Sequence, residues 1–232
     1  MSASEETLER RDSAADNTLF GKESRGRPGA KESFDIATLT QRQIEILEVA
    51  RHVFAEGGYA EFTMRKIANA AGMHLKSIQY YFKTKRELLQ AMFLYVFYHY
   101  YIDGYIEVFE EQNAVTPKQQ LCAAIRFLLR DIVENPFTGA YYFELYAMSM
   151  RDKDAEELVN FMYTDYRGRF QELIMKMNPT LEERAAADRA TLIASITEGI
   201  CLFLSRGKPN HDEPESTLRE AEARILDLVM AA

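Results

Sequence analysis

Between positions 74 and 80 the chain presents His74, Leu75, Lys76, Ser77, Gln79 and Tyr80, side chains whose chemistry matches the edges of DNA bases. A lysine donates to guanine or to a phosphate, a glutamine bonds adenine, a serine serves either, and a leucine fits a thymine methyl. Interleaved with them are positions that must face the other way. Ile67, Ala71, Met73 and Ile78 can form a small core, Ala68 leaves room for a close crossing, and Gly72 supplies a turn. Two short helices crossing steeply need a small residue at the approach and a glycine in the left-handed turn between them. The spacing therefore predicts a helix-turn-helix, with Phe82 plugging the unit onto a preceding helix.

The elements that would hold this unit read as consecutive helices. Thr40 can cap a first helix running to about residue 56, with Ile44, Leu47, Ala50, Val53 and Phe54 on one face. Gly57 and Gly58 suit its C-terminal turn. Thr63 can cap a second helix, a third begins near His74, and Thr84 with Glu87 forms a capping box for a long fourth. Thr116, Pro117 and Gln119 start another, striped by Leu121, Ile125, Leu128 and Ile132, which "NPF" at 135–137 breaks. Further helices are expected over about 138–151, 154–177, 180–205 and 214–230. There is no alternating strand pattern and no internal repeat, so the fold class is all-α.

Charge is distributed unevenly along the 232 residues. The net charge is −8, yet residues 40–90 carry +3, while residues 1–39 carry −2 and residues 91–232 carry −9. Only the segment around the helix-turn-helix has the basic balance that phosphates require. Residues 1–38 are polar without period and read as a disordered arm, whose "RGRP" places Arg25 and Arg27 as accessory DNA contacts. That short segment resembles those which lie in the minor groove in AT-hook proteins. Cys122 and Cys201 form no CxxC pair, which points to a reducing compartment. The N-terminus lacks an apolar h-region, and the most apolar stretch, 91–109, carries His99, Asp103 and Glu107. A cytoplasmic protein without a membrane segment is expected. No nucleotide loop, HExxH run or nucleophile elbow occurs, so no enzyme activity, cofactor or metal is expected.

The stretch "RQIEILEVARHVFAEGGYAEFTMRKIANAAGMHLKSIQYYFKTKRELLQAMF", residues 42–93, resembles the N-terminal DNA-binding domain of TetR-family transcriptional regulators. "FAEGGYAEFTMRKIANAAGM" followed by "YYFKTKRELL" keeps that family's spacing throughout. The resemblance implies a homodimeric all-helical repressor whose C-terminal domain binds a small molecule that releases the DNA. It places Thr63 where a hydroxyl and helix N–H groups hold a phosphate, with Arg65 and Lys66 beside it. It puts Lys76, Ser77, Gln79 and Tyr80 on the recognition helix, and Tyr81 and Lys85 at phosphate contacts. Lys83 and Arg86 are within reach of phosphates as well. Two positions depart from the pattern: the family commonly has Tyr at the place of Gln79, and Gly, Pro or Ala at that of Lys76. Met73-His74 replaces a frequent Val-Ser, so His74 is expected to be a surface contact more than a helix cap.

The resulting organisation is an arm over 1–38, a helix-turn-helix domain over 39–86, and a helical ligand-binding and dimerisation domain over 87–232. In the last, Phe97, Tyr101, Phe127, Tyr142, Tyr146, Tyr166 and Glu198 are candidates for binding a partly apolar or aromatic effector, with His99 and Glu144 as further polar anchors. Ile193, Ile196, Ile200 and Leu204 in one helix, and Leu218, Ala221, Ile225 and Leu228 in the next, are expected to form a four-helix dimer interface. The expected function is a repressor of a palindromic operator on double-stranded DNA, released by a small effector. An activator, a regulator controlled by a protein partner, and a helical carrier or enzyme for lipophilic compounds are the alternatives.

Overall fold

A computed structural model describes residues 38–208 and 212–231; Arg25, Arg27 and the expected arm lie outside the described residues. The described residues contain helices and no strand. The helices are α1 Gln41–Glu61, α2 Met64–Ala70, α3 Leu75–Tyr81, α4 Lys85–Tyr95, α5 Asp103–Glu111, α6 Pro117–Glu134, α7 Thr138–Ser149, α8 Lys153–Met177, α9 Glu183–Leu204 and α10 Glu215–Met230. Between α4 and α5 the chain makes a π-helical turn, Val96–Ile102.

The helix starts are set by side chains that satisfy backbone N–H groups otherwise left without acceptors. Thr40 with Gln43, and Thr116 with Gln119, form complete capping boxes. Thr63 accepts from the Lys66 N–H, and Thr84 from that of Glu87. The Glu87 carboxylate, however, accepts from the Lys83 N–H at 2.8 Å and so closes its box one residue earlier than expected. Inside α1 the helix breaks at Gly58, whose φ of 62° and ψ of −166° are open to glycine and costly for other residues.

The packing divides the chain into two units, and the division does not fall at residue 86. The first unit joins residues 38–101 to Pro136–Met162, so α7 and the start of α8 share a core with α1–α4. There α1 packs against α2, α4 and α7, and α2 against α3. Phe54 sits at the centre, edge-on to Phe62 at 5.8 Å and to Phe93 at 5.1 Å. Tyr141 of α7 donates its hydroxyl to the Phe93 carbonyl at 3.1 Å, giving this buried phenol its partner. The second unit comprises Ile102–Asn135 and the described residues from Tyr163 onward. Its hub is α6, which touches α5, α9 and α10. The expected stripe Leu121, Ile125, Leu128 and Ile132 is buried on it. Phe127 of α6 lies so close to Gly104 of α5 that a Cβ there would meet the ring at 2.6 Å.

The π turn was not foreseen. In an α-helix, residues five apart point to different sides, whereas i→i+5 bonding brings them close together. Tyr95 and Tyr100 accordingly both donate to Glu48 Oε1 of α1, at 2.8 and 2.7 Å. Arg51 completes the group, its guanidinium bonded to Glu48 and placed 4.6 Å above the Tyr100 ring. Burial raises both phenol pKa values, that of Tyr100 to about 12. These hydroxyls stay protonated, and therefore remain donors, across the physiological range.

Candidate nucleic-acid interface and effector residues

Helices α2 and α3 form the expected helix-turn-helix. Ile67, Ala68 and Ile78 are buried between them and Phe82 closes the unit. Gly72 makes the turn with φ of 62°, while the Met73 N–H returns to the Ala68 carbonyl at 2.9 Å. With Ile78 turned inward, α3 exposes Lys76, Gln79 and Tyr80, the last at 80%. Leu75, Ser77 and Tyr81 are half-buried. Tyr80 and Tyr81 stand edge to face at 5.1 Å. His74 sits at the start of α3, exposed, and makes no side-chain cap, as its chemistry suggested.

The flanking cations are partly committed to the protein itself. Arg65 is exposed, and Lys66 pairs with Glu61 at 3.0 Å. Lys85 donates to the Tyr59 carbonyl at 3.1 Å with its ammonium 3.6 Å above the Tyr59 ring. Burial lowers its pKa. Arg86 pairs with Asp152 at 3.3 Å and with Asp154, so its guanidinium already has anionic partners without DNA.

The effector candidates fall in both units. In the first, Phe97 and Tyr101 are buried and Tyr142 is half-buried, 6.0 Å from the Tyr101 ring. Tyr146 does not fit the expectation: it is 42% exposed, because α7 turns its other side, Tyr141 and Leu145, to the core. Glu144 is not an anchor inside an aromatic pocket either, since its carboxylate accepts from the Tyr59 N–H at 3.3 Å. His99 is exposed and stacks on Tyr95 at 5.0 Å. In the second unit, Phe127 lines an open cleft of about 490 Å³ with Val108, Arg126 and Arg130. Glu198 accepts from the Tyr163 hydroxyl at 2.7 Å, and Tyr166 bonds Thr197 at 3.1 Å. Tyr163 and Tyr166 stand edge to face at 6.2 Å. Burial raises the Glu198 pKa, opposed by the Tyr163 hydrogen bond. Tyr163 was missed from sequence; it lies one turn before Tyr166, and that spacing was the available signal. Cys201 is buried, and burial pushes its thiol up to about 12, which disfavours the thiolate.

The α9 and α10 stripes divide between buried and half-buried positions. Ile193, Ile200 and Leu204, with Ala221 and Ile225, are buried against their own subunit, so most of their surface is already covered without a partner. Ile196, Leu218 and Leu228 are half-buried. The apolar residues that α9 exposes are Leu192, Leu202 and Phe203, with Ser195 and Gly199 between them.

Comparison with known proteins agrees with this geometry. The model described as "Bacterial regulatory proteins, tetR family" matches residues 46–92, and that of the "BetI-type transcriptional repressor, C-terminal" domain matches residues 117–229. The chain belongs to the TetR family. This DNA-binding regulator is 26% identical over 159 residues to an uncharacterised HTH-type transcriptional regulator from the dhlA 5′ region of Xanthobacter autotrophicus, covering 66% of this chain and 75% of that one. Its fold is shared by a transcriptional regulator of Rhodococcus sp. RHA1, with TM-score 0.65, 19% identity, and coverage of 82% of this chain and 97% of that one. A TetR regulator of Haloarcula marismortui gives 0.65, 17%, 83% and 98% on the same measures. A protein of Saccharomonospora viridis, described as a transcriptional regulator and solved in complex with choline, gives 0.66, 15%, 83% and 97%. Among the described residues no helix is long and apolar enough to cross a membrane.

Proposed function

We propose that this regulator is a cytoplasmic homodimeric repressor that leaves a palindromic operator when a small, partly apolar cation binds its C-terminal half. The observation that carries the DNA reading is the outward set on α3, Lys76, Gln79 and Tyr80, held by the buried Ile78. Selection of bound fragments from genomic DNA identifies the operator. The double substitution Lys76→Ala with Gln79→Ala is expected to weaken binding to it roughly a hundredfold or more, since each direct base contact contributes about 1–3 kcal/mol. Unchanged affinity in a salt-controlled mobility assay would remove α3 as the reading element.

The effector reading rests on Glu198. Its carboxylate is half-buried beside Tyr163 and Tyr166, and no Lys, Arg or His pairs with it among the described residues. A ligand cation would supply the missing charge, and the ring faces would favour it further. The choline bound to the Saccharomonospora viridis protein makes choline a suitable probe. Protonation neutralises Glu198, and its pKa is raised, so choline affinity is expected to fall as pH drops through that raised value. Titration calorimetry across pH checks this, with Glu198→Gln expected to lose both the binding and its pH dependence. Choline binding that is indifferent to pH and to that substitution would place the ligand elsewhere.

A further inference from the structure

The turn between α1 and the helix-turn-helix is held by groups that no base contact uses. After Gly58 the chain runs from Tyr59 to Thr63, the N-cap of α2, so the backbone here sets where the reading head begins. The peptide groups of Tyr59 are gripped on both sides. Its N–H donates to Glu144 Oε2 of α7 at 3.3 Å, and its carbonyl accepts from Lys85 of α4 at 3.1 Å. The carboxylate of Glu144 lies against Gly58 itself: a Cβ there would sit 2.8 Å from Oε1 and 2.9 Å from Cδ. Glycine at 58 is required by its φ of +62°, and the absence of a Cβ there leaves the room into which the end of the Glu144 side chain settles.

We propose that Glu144 is a positioning residue for DNA recognition, a latch by which α7 fixes the start of the helix-turn-helix. The carboxylate touches no DNA-reading side chain. It acts through the Gly58–Tyr59 backbone, and hence on the placement of α2 and of α3 packed against it. A carboxylate on a backbone N–H carries a full charge on the acceptor, and at 3.3 Å this bond is already at the long end of the range, so a small further displacement breaks it. Any shift of α7 that breaks it releases the turn, so operator affinity depends on where α7 sits. Arg86, paired with Asp152 and Asp154 beyond the end of α7, lines the same small cleft as Tyr59.

The test compares wild type, Glu144→Ala and Glu144→Gln, all full length, after thermal melts have established that each is folded. Glu144→Ala is expected to lose about tenfold in affinity for the selected operator, with affinity for random DNA at the same salt unchanged. Glu144→Gln keeps an acceptor oxygen and is expected to recover most of the loss. Hydrogen exchange at the Tyr59 amide is expected to quicken by about tenfold in Glu144→Ala, a readout that stands whether or not an operator has been found. Unaltered exchange at that amide, or equal losses on operator and random DNA, would overturn the proposal. A wild type that selects no operator counts against the DNA reading of α3, while the exchange result still decides the latch. If the alanine variant does not fold, the glutamine variant decides by the same two measurements, with a smaller change of the same sign expected.

Discussion

Phe203→Glu is expected to convert the regulator into a monomer that no longer holds its operator. Phe203 is 61% exposed on α9, and Leu202 and Leu192 each 48%, while the space over Gly199 is open. Large apolar groups standing together with small residues on one helix are suited to close approach by a second helix. In a twofold dimer the same patch meets itself, so one substitution acts twice. Removing each phenylalanine from the interface sacrifices about 1.5–3 kcal/mol of burial. Two carboxylates brought near the axis add desolvation and repulsion. For the proposed homodimer, these are together expected to weaken association on the order of a thousandfold or more. A monomer engages a single half-site and forfeits the gain from linking two reading heads, so operator affinity is expected to fall by at least a hundredfold. Sedimentation and mobility-shift assays measure the two effects separately. Because Phe203 lies outside the subunit core, far-ultraviolet circular dichroism is expected to stay unchanged. A variant still dimeric at micromolar concentration would move the interface off this face of α9.

The distance between that face and the one expected from sequence shows which constraints are local. The helix-turn-helix was legible because its determinants lie within twenty residues of each other: Gly72 for the turn, Ala68 for the crossing, Ile67 and Ile78 for the core. The caps at Thr40, Thr63 and Thr116 were legible because each acts three residues away. The face of α9 that would meet a partner was harder to read because the helix carries two apolar stripes. Ile193, Ile200 and Leu204 form the more regular one, and regularity identified it as a packing face. Period alone cannot say whether that face meets the same subunit or another. Glu144 and Glu48 were hidden for a related reason. The sequence marks Glu144 only as a polar anchor for an effector and gives Glu48 no role; the Tyr59 amide, 85 residues away, and the paired Tyr95 and Tyr100 hydroxyls enter only with tertiary structure. The π turn that brings those two tyrosines together leaves no signature in hydrophobic period.

Arg169→Ala is expected to lower stability by about 3–5 kcal/mol, because it leaves a carboxylate buried in the second unit without the charge that offsets it. Arg169 of α8 is fully buried and donates through Nε to Asp165 Oδ2 at 2.5 Å. The two side chains are 1% and 5% exposed, so water screens neither. Stability of a protein this size is about 5–15 kcal/mol, so the loss takes a large share of it. It corresponds to a drop of roughly 6–20 °C in melting temperature. Exposed pairs such as Arg184–Asp188, at 86% and 58%, contribute little by comparison, and breaking that pair is expected to shift the melt by about a degree or two. The decisive comparison is the double substitution Arg169→Met with Asp165→Leu. If the pair is costly to bury but costlier to break, the double variant recovers most of the loss suffered by either single one, and denaturant unfolding reveals strong coupling between them. If instead the two losses simply add, then Arg169 stabilises the unit through its packing against α8's neighbours, and the ion pair is incidental to it.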